Sequence, residues 1–208
     1  MSARVIMVAS GKGGTGKSTV SVLTGAALAA RGRRVLLVEL DSALRSVDYI
    51  AGVYGKTVYD VEDVLCGRCD AGKALVESPL YPGLFVISAP YSGGQVAAGA
   101  LQSFLQQAGG VFDDIVLDTA AGMGAPFEAA RAAASLALIC ITPDPVAQRD
   151  GRIVCDALLE GGCEQVRLVI NKVPRTLAGQ GIRDLDECID TVGAQLLGVV
   201  PYSEAVLR

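Results

Sequence analysis

The sequence predicts an α/β fold, a doubly wound and mostly parallel sheet flanked by helices. Three observations carry that reading. Short apolar runs alternate with helical segments from end to end, and short connections join them, as in a sheet wound on both faces. The runs at residues 33–40 and 136–142 read as buried strands, the first with a continuous apolar stretch that suits a parallel strand covered on both faces. The first run passes through a glycine-rich loop straight into a helix of small residues. A length of 208 residues suits one domain, spanning 1–208, with a substantial core.

The first strand is expected at residues 5–9 and the helix at 19–31. Between them, residues 11–18 read G-K-G-G-T-G-K-S and satisfy G-x-x-x-x-G-K-[ST] in the strand–loop–helix context that a P-loop requires. Gly11, Gly13, Gly14 and Gly16 let the backbone turn tightly with its N–H groups inward. Those groups and the helix N-terminus form a cradle for phosphate oxygens, with Thr15 and Thr19 part of the same loop. Lys17 carries charge to the β- and γ-phosphates, and the Ser18 hydroxyl is a Mg²⁺ ligand.

Lys12 is a second lysine that a generic P-loop does not need. The stretch K-G-G-T-G-K-S-T resembles the deviant Walker A motif of the MinD/ParA superfamily, to which the nitrogenase iron protein also belongs. The resemblance implies a P-loop NTPase of the SIMIBI type, ATP or ADP and Mg²⁺ as ligands, and an ATP-dependent homodimer. In that dimer Lys12 would reach the phosphates of the partner's nucleotide. Lys12, Lys17 and Asp41 are then the expected catalytic residues.

Along the chain the likeness continues. Residues 33–40 read as a buried strand ending in Glu39-Leu40-Asp41, and a carboxylate there faces the crevice beside a P-loop. The segment to Asp48 resembles the family's switch I, D-x-D-x-x-L-R-N-L-D. Asp41 matches the second aspartate, which the resemblance assigns to positioning Mg²⁺ and the attacking water. Glu39 replaces the first with a longer side chain of the same charge, and Ser46 stands where asparagine is common. A helix is expected within residues 58–65 and a further short one at 74–76. A strand follows at 83–89, and a helix at 95–107 places Val96, Leu101, Phe104 and Leu105 near helical spacing.

Residues 112–118 run into Asp118, the Walker B position, which holds Mg²⁺ through water. The family pattern there is D-x-P-A-G. Ala120 departs from it at the proline, and Gly122 falls where a backbone N–H would sense the γ-phosphate. After a strand at 136–142, the helix opening at 143–150 resembles the family segment that contacts regulators, which makes Arg149 and Asp150 candidate contacts for a regulatory or effector protein. The strand at 166–173 ends in Asn171-Lys172, whose asparagine the resemblance assigns to adenine. Residues 198–208 resemble the G-V-I-P-x-D loop that packs on the base, with Pro201 retained and Ser203 replacing the aspartate.

Composition narrows the partners. Hydrophobic residues are 51% and charged residues 19%, which marks a folded globular chain. A net charge of −4 and a pI of about 4.9 argue against a nucleic-acid partner. The absence of histidine excludes histidine catalysis and histidine metal sites. The N-terminal apolar run is no secretion signal, and no run is long enough to span a membrane, so a cytoplasmic protein with reduced thiols is expected. The tail from Tyr202 to Arg208 is too short and too little basic to lie in a membrane interface, leaving a partner or a further tail to supply any membrane contact.

The resemblance implies an ATP-driven switch in cell-division placement, and three other readings stand beside it. A ParA-type partitioning ATPase needs a basic surface on its dimer. A metal-centre maturation ATPase needs Cys66 and Cys69, the only C-x-x-C here, to pair across a dimer, because one pair gives two ligands of four. A non-hydrolysing ATP-binding scaffold would explain the departures at Glu39, Ala120 and Ser203.

Overall fold

The computed structural model describes residues 3–42, 45–90, 97–177 and 179–204. Val96 of the expected helix, residues 43–44 of the switch I segment and the tail at 205–208 lie outside them. Among the described residues, eight strands form one sheet in the order β3-β4-β2-β5-β1-β6-β7-β8. They are β1 (Arg4–Ala9), β2 (Val35–Glu39), β3 (Val76–Glu77), β4 (Leu84–Ile87), β5 (Asp114–Asp118), β6 (Leu136–Ile141), β7 (Val166–Val173) and β8 (Gln195–Pro201). Every pairing is parallel except that of β3 with β4.

The helices are α1 (Lys17–Ala29), α2 (Ser46–Ile50), α3 (Val61–Leu65), α4 (Ala71–Ala74), α5 (Ala98–Ala108), α6 (Ala125–Ala133), α7 (Pro145–Glu160) and α8 (Leu185–Val192). Both faces of the sheet are covered, which is why its strands read as unbroken apolar runs. On one face Ile6, Val8, Leu37 and Val116 pack with Val20 and Val22 of α1 and Val47 of α2. On the other, Met7, Leu36 and Leu117 pack with Leu101 of α5, Phe127 of α6, Val154 of α7 and Cys188 of α8.

Two expectations are corrected and one omission is filled. Residues 74–76 do not form a helix of their own: α4 ends at Ala74, Leu75 is extended (ψ 123°), and Val76 joins β3 opposite Val86. The pull of an unpaired sheet edge outweighs one more helical turn there. Residues 198–201, read as loop, are the end of β8, in register with β7 at Val169–Gly198 and Ile170–Val199. Helix α8 was not foreseen, although Asp184 caps it by accepting a hydrogen bond from Glu187 N–H, a signal present in the sequence as D-x-x-E.

The order places β1 centrally, between β5 and β6. The loop after β1, the turn after β2 and the turn after β5 therefore gather at one edge of the sheet. This is the crevice at the carboxyl ends of parallel strands, where α/β folds bind ligands.

Candidate functional site

A cavity of about 470 Å³ opens at that edge. Its phosphate-loop wall is Gly13, Gly14, Gly16, Lys17, Ser18 and Thr19. Asp41, Ser46 and Ile50 form the switch I side with Ala121, and Asn171, Lys172, Pro201, Tyr202 and Ser203 close the far end.

The phosphate loop is held from outside. Asn171 Nδ2 donates to Thr15 O at 2.8 Å, Cys140 Sγ lies 3.5 Å from the same carbonyl, and Lys172 Nζ donates to Gly14 O at 2.8 Å. Carbonyls turned toward β6 and β7 leave the N–H groups of a tight loop for the other side. Gly14 and Gly16 have φ of 78° and 90°, the left-handed region that glycine enters without strain. Gly16 is required twice, because a Cβ there would sit 2.2 Å from Asn171 Nδ2. Gly11 is needed for a different reason: its Cβ would sit 2.6 Å from the Asp150 carbonyl oxygen of α7.

Lys17 is nearly buried, and its helix begins directly at the loop with Gly16 as N-cap. Asp118 is fully buried at the end of β5. Its Oδ1 accepts from Ser21 Oγ at 2.7 Å, while its Oδ2 has no partner. Burial pushes the Asp118 carboxyl up against the pull of the Ser21 and Ser18 hydroxyls and Lys17, with Asp41 adding to the rise. A cation beside it would reverse that cost. An orphaned carboxylate oxygen next to a hydroxyl and a half-exposed carboxylate is the all-oxygen donor set that Mg²⁺ takes. The residues present therefore fit the ion, with Ser18, Asp41 and Asp118 to hold it.

Two residues stand differently from their expected places. Lys12 is not part of the cavity wall; its Nζ lies 3.3 Å from Asp144 Oδ1 at the N-cap of α7. Gly122, at φ 87°, donates its N–H to Ser10 O at 3.0 Å. Glu39 is buried rather than facing the crevice. Burial, with the neighbouring Asp118 and Asp48 carboxylates, pushes it up to about 8 despite hydrogen bonds from Val47 and Ala89 N–H. Arg149 and Asp150 pair with each other at 2.8 Å on the surface. Cys66 is exposed and Cys69 half-buried, both as free thiols. Among the described residues no group of three or more cysteines and carboxylates is arranged to hold a metal, so the C-x-x-C has no third ligand within the described chain.

Sequence reasoning missed Ser21, Lys172, Leu23 and Ile50. Ser21 lies one helical turn after Lys17, and only the packing of α1 on β5 makes it the partner of Asp118. Leu23 and Ile50 are ordinary apolar residues that tertiary packing brings to the cavity. Among the described residues no helix is long and apolar enough to cross a membrane.

Comparison with known proteins places this geometry. Residues 6–208 match the model of the CobQ/CobB/MinD/ParA nucleotide binding domain. The septum site-determining protein MinD of Bacillus subtilis is 34% identical over 208 residues, covering 98% of this chain and 78% of that protein. The MinC:MinD cell division protein complex of Aquifex aeolicus contains a chain with a TM-score of 0.87 and 29% identity, over 97% of this chain and 82% of that one. MinD of Pyrococcus horikoshii complexed with Mg-ADP shares the fold, with a TM-score of 0.82 at 22% identity over 97% and 82% of the two chains.

Proposed function

Because the chain belongs to the CobQ/CobB/MinD/ParA nucleotide-binding family, we propose that it is a Mg²⁺-dependent ATPase working as an ATP-dimerised switch in division-site placement. The observation that carries this reading is the orphaned, fully buried Asp118 Oδ2 beside Lys17 and Ser18 at the cavity. The relatives support it by name: MinD determines septum sites in Bacillus subtilis, one neighbour is complexed with Mg-ADP, and another is a MinC:MinD complex.

In this mechanism the whole chain acts as one domain. The loop N–H groups and the α1 N-terminus hold the phosphate chain, and Lys17 neutralises its β- and γ-oxygens. Ser18, Asp41 and Asp118 would hold Mg²⁺, which would supply further positive charge at those oxygens. Asp41 orients water for in-line attack. Asn171 and Pro201 bound the base end. Catalysis is then positioning plus electrostatics, with slow basal turnover that a partner stimulates. Dimerisation requires Lys12 to leave Asp144 for the partner's phosphates, and Gly122 N–H to exchange Ser10 O for the γ-phosphate. Loss of that phosphate reverses both changes, a segment switch. The regulator would dock on α7 near Arg149 and Asp150, and the protein would work in the cytoplasm.

The test is phosphate release from ATP with and without Mg²⁺, together with mass in solution by light scattering for the natural chain and Asp41→Ala. We expect Mg²⁺-dependent release and an ATP-specific dimer that persists in Asp41→Ala. A chain that neither binds nor hydrolyses ATP overturns the reading, and one that binds ATP and dimerises without turnover belongs to the scaffold class.

A further inference from the structure

Glu39 is a fully buried carboxyl that the mechanism above does not use. It ends β2 in direct register with Asp118 of β5, so both side chains leave the sheet on the α1 face. Glu39 nevertheless is not part of the cavity wall. Its Oε1 accepts from Val47 N–H at 3.2 Å and its Oε2 from Ala89 N–H at 3.3 Å. The first bond joins residue 39 to residue 47 and so closes the segment that carries Asp41. The second ties that closure to the turn after β4.

We propose that Glu39 is a positioning residue for hydrolysis, its side chain setting Asp41 by bridging the start of α2 to the end of β4. The inference rests on the ATPase reading of the same site. Two features make the bridge specific. A glutamate has one more methylene than the aspartate of the family pattern, and that length lets the two oxygens reach two different elements. Besides this, a second carboxylate ties the same two places independently. Asp48, next to Val47, accepts from the hydroxyl of Ser88, next to Ala89, and pairs with Arg45 at 2.8 Å. The bond from Ser88 fixes α2 to the end of β4 whether or not Glu39 is present, so removing Glu39 releases the Asp41 segment without detaching the helix. Glu39 therefore acts on the setting of Asp41, and the Asp48 network on the fold.

The test uses Glu39→Asp, which keeps both oxygens but shortens the reach, and Glu39→Gln, which keeps the reach but can accept only one of the two N–H bonds. ATP affinity, KM, kcat and the Mg²⁺ concentration for half-maximal rate are measured for each, with amide exchange of the peptides containing Val47 and Ala89. We expect kcat to fall on the order of 10- to 100-fold, the scale of a misplacement of about an ångström. ATP affinity, KM and the Mg²⁺ requirement should stay within about threefold, and Val47 and Ala89 amides should exchange faster. An unchanged kcat with a lowered melting temperature would make Glu39 a purely structural group and overturn the proposal. A shifted Mg²⁺ requirement would make it a metal ligand and overturn it too. Failure of the ATPase reading would look different, since the natural chain itself would then release no phosphate.

Discussion

The two ends of the cavity are built on different principles. At the phosphate end each residue answers a demand that few side chains meet: positive φ at Gly14 and Gly16, a cation at Lys17, a buried carboxylate at Asp118. At the base end Val200 and Pro201 give apolar surface beside Asn171 and Lys172, with Tyr202 and Ser203 half in solvent. Many residues would fill that wall equally well. The phosphate end is therefore rigid and intolerant, while the base end is a surface of contact area, and substitutions should show this asymmetry in size and kind.

The largest effect belongs to Lys17→Ala. It removes a nearly buried charge aimed at the triphosphate, and truncating one partner of such a contact costs several kcal/mol. We expect affinity for ATP and for ADP to fall at least about 100-fold by calorimetry, with the melting temperature of the free protein little changed. Retained affinity would mean that contact area, not charge, dominates both ends, and the contrast would collapse.

Gly16→Ala tests the seam between them. A Cβ must enter at φ 90° and meets Asn171 Nδ2, the donor that holds Thr15 O. Left-handed strain costs about 1–2 kcal/mol and the lost hydrogen bond about 1. Denaturant unfolding should therefore show about 2–3 kcal/mol of destabilisation, and ATP binding should weaken as the loop loses its brace. Stability without binding loss would show that the loop does not need β7.

Lys12 belongs to the phosphate loop by sequence but to α7 by contact, and pH separates the two roles. Burial raises the Asp144 carboxyl, but the Thr142 hydroxyl, Ala147 N–H and Lys12 outweigh it and hold the group below the usual carboxylate range. A depressed acid stabilises the fold above its unfolded pKa, and that contribution disappears as pH falls through the folded value. Asp144→Ala loses the N-cap as well, worth about 1 kcal/mol, or roughly 2–4 °C in a chain of this size. The gap in melting temperature to the natural chain should be full at pH 7 and narrow below about pH 4. A gap that does not depend on pH would reduce Asp144 to a cap with no charge linkage to Lys12.

The same asymmetry decides what was readable from sequence. The loop, Lys17, Ser18 and Asp118 were legible because chemistry dictates residue type and spacing together, and the central strands were legible because burial on both faces leaves unbroken apolar runs. Ser21 and Lys172 were overlooked because neither residue type is diagnostic; each acquires its role only when α1 meets β5 or β7 meets the loop. The reversal of Val76 into an edge strand depends on β4 lying beside it, which no local propensity encodes. Glu39 was read as an aspartate equivalent because its charge was visible and its reach was not. An extra methylene turns the carboxyl away from the cavity, onto Val47 and Ala89.

The smallest effect should come from Tyr202→Ala. Tyr202 is held by its backbone N–H to Val173 O at 2.8 Å, so its ring is presented to the cavity without being packed, and half of it stays in solvent. Full aromatic stacking on a base is worth about 1–3 kcal/mol, and a half-exposed ring belongs at the low end of that range. About 1 kcal/mol corresponds to roughly fivefold in affinity. ATP and ADP should both weaken by that factor, inorganic triphosphate not at all, and Tyr202→Phe should bind as the natural chain does. Equal weakening of triphosphate would show that the β8 end acts on the phosphate loop through Lys172 and Asn171, and the two ends would then be one mechanical unit rather than two.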